Sequence, residues 1–145
     1  MEQPVVLVTG GARRVGAAIV RAAHAAGARV VVHCNRSRGD AEALLAGLEA
    51  ARPGSTAIVE ADLLDHARLA GLVAEAASRF GRLDALVNNA SSFHPTPLES
   101  LDGAAWDDLV GTNLRAPLFL SQAAAPHLRR ARGAIVNIVD IHSER

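Results

Sequence analysis

Residues 5–16 constrain this chain more than any other stretch. Val5-Val6-Leu7-Val8 is an unbroken apolar run of strand type. Thr9-Gly10-Gly11-Ala12-Arg13-Arg14-Val15-Gly16 comes directly after it. A helical pattern comes next, placing Val15, Ile19, Ala22, Ala23 and Ala26 on one face. A buried strand that turns through glycine into a helix forms a phosphate-binding device, because the helix start offers free N–H groups and partial positive charge. Gly10 permits the tight turn, and Gly16 lets the helix approach the strand. Arg13 and Arg14 add positive charge beside the expected phosphates.

The same alternation runs through the rest of the chain. Apolar runs predict further strands at 29–33, 56–60, 84–88 and 133–140. The first helix spans 14–26, before Gly27. Asp40 caps a second over 40–51, closed by Pro53-Gly54. Asp65 caps a third, with Leu69, Leu72, Val73, Ala76, Ala77 and Phe80 at helical spacing, and Gly81 stops it. Trp106 to Gly111 is helical, with a pause near Asn113 and a resumption over 115–132, where Pro126 bends or shortens the helix. Five apolar strands with helical crossovers predict an α/β fold: a doubly wound, Rossmann-type parallel sheet of order 3-2-1-4-5, covered on both faces.

Composition narrows the function classes. With 145 residues, 50% apolar and 21% charged, the chain is expected to be one soluble domain. Zero net charge gives no basic surface for nucleic acid. The single cysteine, Cys34, allows no internal disulfide and suits a reducing compartment. No apolar stretch approaches the roughly 20 residues of a membrane span, and no signal peptide is recognisable, so a cytoplasmic location without membrane contact is expected. All fifteen Lys+Arg residues are arginine, and tyrosine is absent. A mechanism that needs a Tyr–Lys pair cannot run on these residues alone.

Several segments at strand ends carry chemistry. An NAD site usually places an acid after the second strand. Here His33-Cys34-Asn35-Arg36-Ser37 offers Arg36, Ser37 and then Arg38, with Arg14 nearby, and no acid precedes Asp40. Arginine forks match a phosphate, so NADP(H) is expected over NAD(H); the bland alternative is a solvated loop. Asp62-Leu63 closes the third strand, where Asp62 either accepts an adenine amine or caps the helix after it. Asn88-Asn89-Ala90-Ser91-Ser92-Phe93 closes the fourth, where small residues let a ligand come close. Phe93 either stacks on a flat ligand or packs beneath its loop. Asn113 interrupts a helix. Asp140 comes after the fifth strand, where such sheets bind ligands, or acts there as a cap. No metal-ligand spacing is present.

Together these residues resemble the short-chain dehydrogenase/reductase family, and within it the pteridine reductase group. The family's phosphate loop is T-G-x-x-x-G-x-G, and Arg14 stands at its middle glycine, as in pteridine reductases. The resemblance implies that Gly10, Arg13, Arg14, Val15, Gly16, Asn35, Arg36, Ser37, Asp62, Leu63, Asn89, Ala90 and Ser91 bind NADP(H), with Asn35-Arg36-Ser37 at the 2′-phosphate. Asn88-Asn89-Ala90-Ser91 is similar to the family's N-N-A-G, with serine for glycine. The resemblance further implies that Arg14, Ser91, Phe93 and Asp140 contact a pterin, held between the Phe93 ring and the nicotinamide. It assigns Asn113 and Asp140 catalytic roles, Asp140 lying where most members carry serine.

The family's Tyr-x-x-x-Lys is missing from these residues. The expectation is therefore the N-terminal dinucleotide-binding portion, 1–145, of an NADPH-dependent reductase, truncated after the fifth strand. The alternative is a non-catalytic NADP(H)-binding remnant or a fragment. A small pterin-like or related C=N/C=O substrate and a homo-oligomer are the expected partners. The exposed fifth strand and the helix over 115–132 are the surfaces expected to associate.

Overall fold

The computed structural model describes residues 3–139. Strands β1 (Val5–Val8), β2 (Arg29–Cys34), β3 (Thr56–Glu60), β4 (Ala85–Asn88) and β5 (Ala134–Asn137) form one sheet of order β3-β2-β1-β4-β5. Every neighbouring pair is parallel, which is the doubly wound order read from the sequence. Helices α1 (Arg14–Ala25), α2 (Arg38–Ala51), α3 (Leu69–Phe80), α4 (Gly103–Val110) and α5 (Ala116–Ala131) make the crossovers.

Alternation along β1 divides the core in two. Val5 and Leu7 pack with Val31 and Leu86 beneath α3 and α5. Val8 packs with Val30, Val32 and Val87 beneath α1 and α2. Central parallel strands are buried on both faces, so they read as continuous apolar runs rather than alternating ones. Ala116, Leu120, Ala124 and Leu128 form an i, i+4 stripe that seats α5, and Leu69, Leu72, Val73, Ala76 and Ala77 seat α3 as their spacing predicts.

The structure shifts the expected face of α1. Ile19 and Ala23 pack against the core as expected, but Gly16, Ala17, Val20 and His24 are the buried residues, and Val15 is 57% exposed. The cause is a close approach: a Cβ on Gly16 would lie 2.3 Å from the Gly10 carbonyl oxygen and 2.6 Å from Asn89 Nδ2. The helix turns its one side-chain-free position into that contact, and the buried stripe is set by it.

Asp40 does not cap α2, which starts two residues earlier at Arg38; it lies in the first turn. Asp65 does accept from the Ala67 N–H, at 3.2 Å, but the turn it caps is a short 3₁₀ segment (His66–Arg68) ahead of α3. Gly81 ends α3 at φ 75°, a left-handed conformation that glycine adopts without strain. The pause near Asn113 is a π-helical turn, Gly111–Arg115, between α4 and α5. Pro126 does not shorten α5, which continues to Ala131.

The two sheet edges differ. Beside β3 a groove of about 680 Å³ is bordered by Arg38, Glu42, Glu49, Glu60 and Glu75, charges that discourage strand pairing. Among the described residues no strand pairs with the outer edge of β5, where Ile135 and Val136 are 39% and 46% exposed. At its start, the Ala134 N–H donates to the Asp84 carbonyl at 3.0 Å. A Cβ on Gly133 would stand 2.0 Å from that same oxygen. Gly133→Ala is therefore expected to destabilise the fold by about 2–3 kcal/mol, an overpacking cost, read as a lower urea midpoint at unchanged slope.

Candidate functional site at the strand carboxyl ends

The glycine turn leaves β1 through Gly10, at φ 59°, and enters α1 at Arg14, at φ 49°. No side chain caps α1, and its first turn carries no acid. Its first amides are thus open to an anion, with Arg13 and Arg14 beside them. This donor set fits a dinucleotide's phosphates.

Thr9 and Asn89 brace the turn against β4. Thr9 Oγ1 accepts from the Asn89 and Ala90 N–H groups at 2.9 and 3.0 Å. Asn89 Nδ2 donates to the carbonyls of Thr9 and Gly10 at 2.9 and 3.1 Å. Asn88, one residue earlier, turns the other way and donates to Asn137 Oδ1 at 2.8 Å and Ser121 Oγ at 3.3 Å. The tandem asparagines therefore tie β4 to both of its neighbours.

His33 is the site residue that sequence reading missed. It lies 2% exposed in β2, and its Nδ1 accepts from the Gly10 N–H at 3.2 Å. Its other nitrogen, Nε2, lies 3.0 Å from the Ala61 carbonyl and must donate there, so the ring is neutral with the proton on Nε2. Burial pushes its pKa below the ordinary value, outweighing the Ala61 bond and the nearby Asp62 carboxylate. The one available signal was a polar residue closing the apolar run Val30-Val31-Val32.

Beyond β2, Asn35 and Arg36 are exposed and Ser37 is half-buried, with no cap bond from the Ser37 side chain to α2. Arg13 pairs with Asp40 at 2.5 Å, and Arg38 pairs with Glu42 and Glu60 at 2.9 and 3.3 Å. Among the described residues Arg14 and Arg36 make no ion pair, so their charge is unspent. A cleft of about 490 Å³ opens between the starts of α1 and α2, bordered by Arg13, Arg14, Arg21 and Asp40. Asp62 Oδ1 accepts from the Leu64 N–H at 2.9 Å, a turn at the end of β3, while Leu63 is buried.

After β4, Ser91 is exposed and Phe93 is 89% exposed, so the ring does not pack beneath its loop. Asn113 reaches this loop from the π turn and bonds the Ser92 backbone. Asn89, Ala90, Gly10 and Gly16 are brought together; Asn35, Arg36 and Ser37 stand at the next strand end. Asp140 lies outside the described residues.

Residues 4–144 match the short chain dehydrogenase family. This chain belongs to that family. It is 40% identical to pteridine reductase 1 of Leishmania tarentolae, covering 94% of this chain and 61% of the relative. It is 41% identical to the L-fucose dehydrogenase of Mus musculus, over 92% of this chain and 47% of the relative. It is 36% identical to the gluconate 5-dehydrogenase of Gluconobacter oxydans, over 95% and 54%. The chain thus spans about half to three-fifths of the length of these curated relatives.

The neutral His33 makes the stability of this chain pH-dependent. His24, buried against Ser55 Oγ at 2.8 Å, is likewise held below the ordinary 6.5 by burial and by the Arg52 charge. The unfolded chain takes up protons near pH 6.5 that the folded chain refuses. Stability is therefore full above about pH 7 and falls as pH drops through about 6.5. Urea midpoints between pH 7.5 and 5.5 check this (roughly the span over which imidazole titrates). His33→Gln is expected to flatten the slope.

Proposed function

We propose that these residues form the N-terminal dinucleotide-binding portion of an NADPH-dependent reductase of pteridine reductase type, acting on a pterin or a related C=N or C=O substrate. One observation carries the cofactor choice. No acid stands directly after β2, and Arg36, without a counter-ion among the described residues, stands beside Ser37 instead.

The open amides of Arg14, Val15 and Gly16, with Arg13 and Arg14, would hold the pyrophosphate. Asn35, Arg36 and Ser37 would hold the 2′-phosphate, and Asp62 with Leu63 the adenine. Asn89, Ala90 and Ser91 would line the nicotinamide side. When bound, the dinucleotide supplies hydride. Arg14, Ser91, Phe93 and Asp140 would surround the substrate, with Asp140 helping to deliver the proton. Asn113 would act by fixing the loop that carries Ser91 and Phe93, since both ends of its amide engage the Ser92 backbone. Relatives of similar identity carry sugar-dehydrogenase names. The pterin reading therefore rests on Arg14, Ser91 and Phe93 rather than on identity.

A second reading has its own support. These 145 residues contain neither tyrosine nor lysine. A positioned general acid typically contributes about 10²–10⁴-fold, so the chain alone is expected to bind NADP(H) and turn over only a trace of dihydrobiopterin. A robust steady-state rate of NADPH oxidation would instead favour Asp140 as a sufficient acid.

Calorimetric titration tests the cofactor assignment. NADP⁺ should bind more tightly than NAD⁺. Arg36→Ala should weaken NADP⁺ roughly ten- to a hundredfold, the loss of one charge-assisted contact, and leave NAD⁺ nearly unchanged. Equal loss for both would remove Arg36 from the 2′-phosphate. Association is the expected partner behaviour, through the apolar β5 edge or through Leu114 and Leu118, which are 64% and 60% exposed. Light scattering should give a mass above the 15.1 kDa monomer, rising with concentration.

A further inference from the structure

Residues 91–95 alternate between two environments. Ser91, Phe93 and Pro95 are exposed, whereas Ser92 and His94 are half-buried. Ser92 and His94 turn toward α4, where both meet Asp108, while Ser91 and Phe93 face solvent.

The inner pair converges on one oxygen of α4. Asp108 Oδ2 accepts from Ser92 Oγ at 2.5 Å and lies 3.3 Å from His94 Nε2. Asn113 grips the same loop by its main chain: its Oδ1 accepts the Ser92 N–H at 3.1 Å, and its Nδ2 donates to the Ser92 carbonyl at 2.8 Å. Phe93 sits between two anchored residues, with 89% of its surface in water. A large ring left in water gains nothing from its own packing. Its direction is set by its neighbours.

We propose that Asp108 is a positioning residue for substrate recognition: by gripping Ser92 and His94 at one carboxylate oxygen, it presents Ser91 and Phe93 as a single face to a flat heteroaromatic substrate. The proposal rests on the pterin reading above. It adds a residue, on the neighbouring helix α4, that never meets the substrate. It also explains why a water-exposed aromatic ring can have a defined direction on a loop without regular structure. A carboxylate suits the task because one oxygen can accept from both a hydroxyl and an imidazole N–H.

Fluorine NMR separates this role from mere loop stabilisation. The chain has three phenylalanines, Phe80, Phe93 and Phe119. Uniform 4-fluorophenylalanine labelling gives each a line, and Phe93→Leu assigns one of them. In Asp108→Ala the Phe93 line should narrow and move toward the free amino acid, while the other two stay. Affinity for biopterin, measured with saturating NADP⁺, should fall at least about tenfold, with NADP⁺ affinity within about twofold. Asp108→Asn, which keeps one acceptor oxygen, should fall between. If Asp108→Ala does not fold, the double variant Ser92→Ala/His94→Gln removes the same grip from the loop side and should give the same two changes. An unmoved Phe93 line overturns the proposal, and so does a moved line with unchanged biopterin affinity. If the unsubstituted protein binds NADP⁺ but no biopterin, the pterin reading fails, and the Phe93 line alone still decides whether Asp108 directs the ring.

Discussion

Thr9 is 1% exposed, and its hydroxyl makes three hydrogen bonds between β1 and β4. It donates to the Val87 carbonyl at 3.3 Å and accepts the Asn89 and Ala90 N–H groups. Asn89 returns two bonds to the carbonyls that lead into the glycine turn. A buried hydroxyl costs free energy unless its bonds are made, and here each is made to backbone that must be placed for the site to exist. The glycine turn and the loop after β4 leave different strands, 80 residues apart in sequence. This knot sets the distance between them.

Gly16 belongs to the same knot. Gly16 serves the close approach its place in the turn predicts: its nearest obstacles are protein atoms, the Gly10 carbonyl and Asn89 Nδ2. Absence of a side chain allows α1 to close on the turn, and that closure aims the helix start at the space above β1. His33 completes the support from the other side by holding Gly10 and Ala61 with the two nitrogens of one neutral ring. A charged ring would have two donors and could not accept from Gly10. Burial keeps it neutral, so the same packing that fixes the ring also fixes its hydrogen-bond polarity.

Charge is distributed with the same economy. Arg13 and Arg38 are matched by carboxylates on α2 and β3, whereas Arg14 and Arg36 face solvent at the strand ends. Exposed ion pairs contribute little to stability. They link α2 to the glycine turn and to β3, and among the described residues they leave Arg14 and Arg36 without a carboxylate partner. On the far side of the sheet, the π turn shifts the helical register between α4 and α5. It points Asn113 at the β4 loop while Leu120, Ala124 and Leu128 keep α5 on the core.

The sheet order was legible in the sequence because buried parallel strands are continuous apolar runs and their crossovers have one favoured hand. The glycine turn, the acid-free end of β2 and the spacing of α3 were legible for the same reason: each is written in neighbouring residues. What failed or stayed hidden depended on contacts across the sheet. The buried face of α1 is only partly legible, Ile19 and Ala23 but not Val15, because Ala-rich periodicity cannot choose among several small-residue faces; Gly16 meeting Asn89 chooses. Asp40 looked like a cap by position but lies within reach of Arg13, a partner 27 residues away. Phe93 could have packed or projected, and its neighbours' bonds to Asp108 and Asn113 decided that it projects. His33 carried no local mark of its role, since its two partners come from the turn after β1 and the end of β3. Local chemistry thus fixed the elements and their order, while hydrogen bonds between distant strand ends decided which side chains face the site.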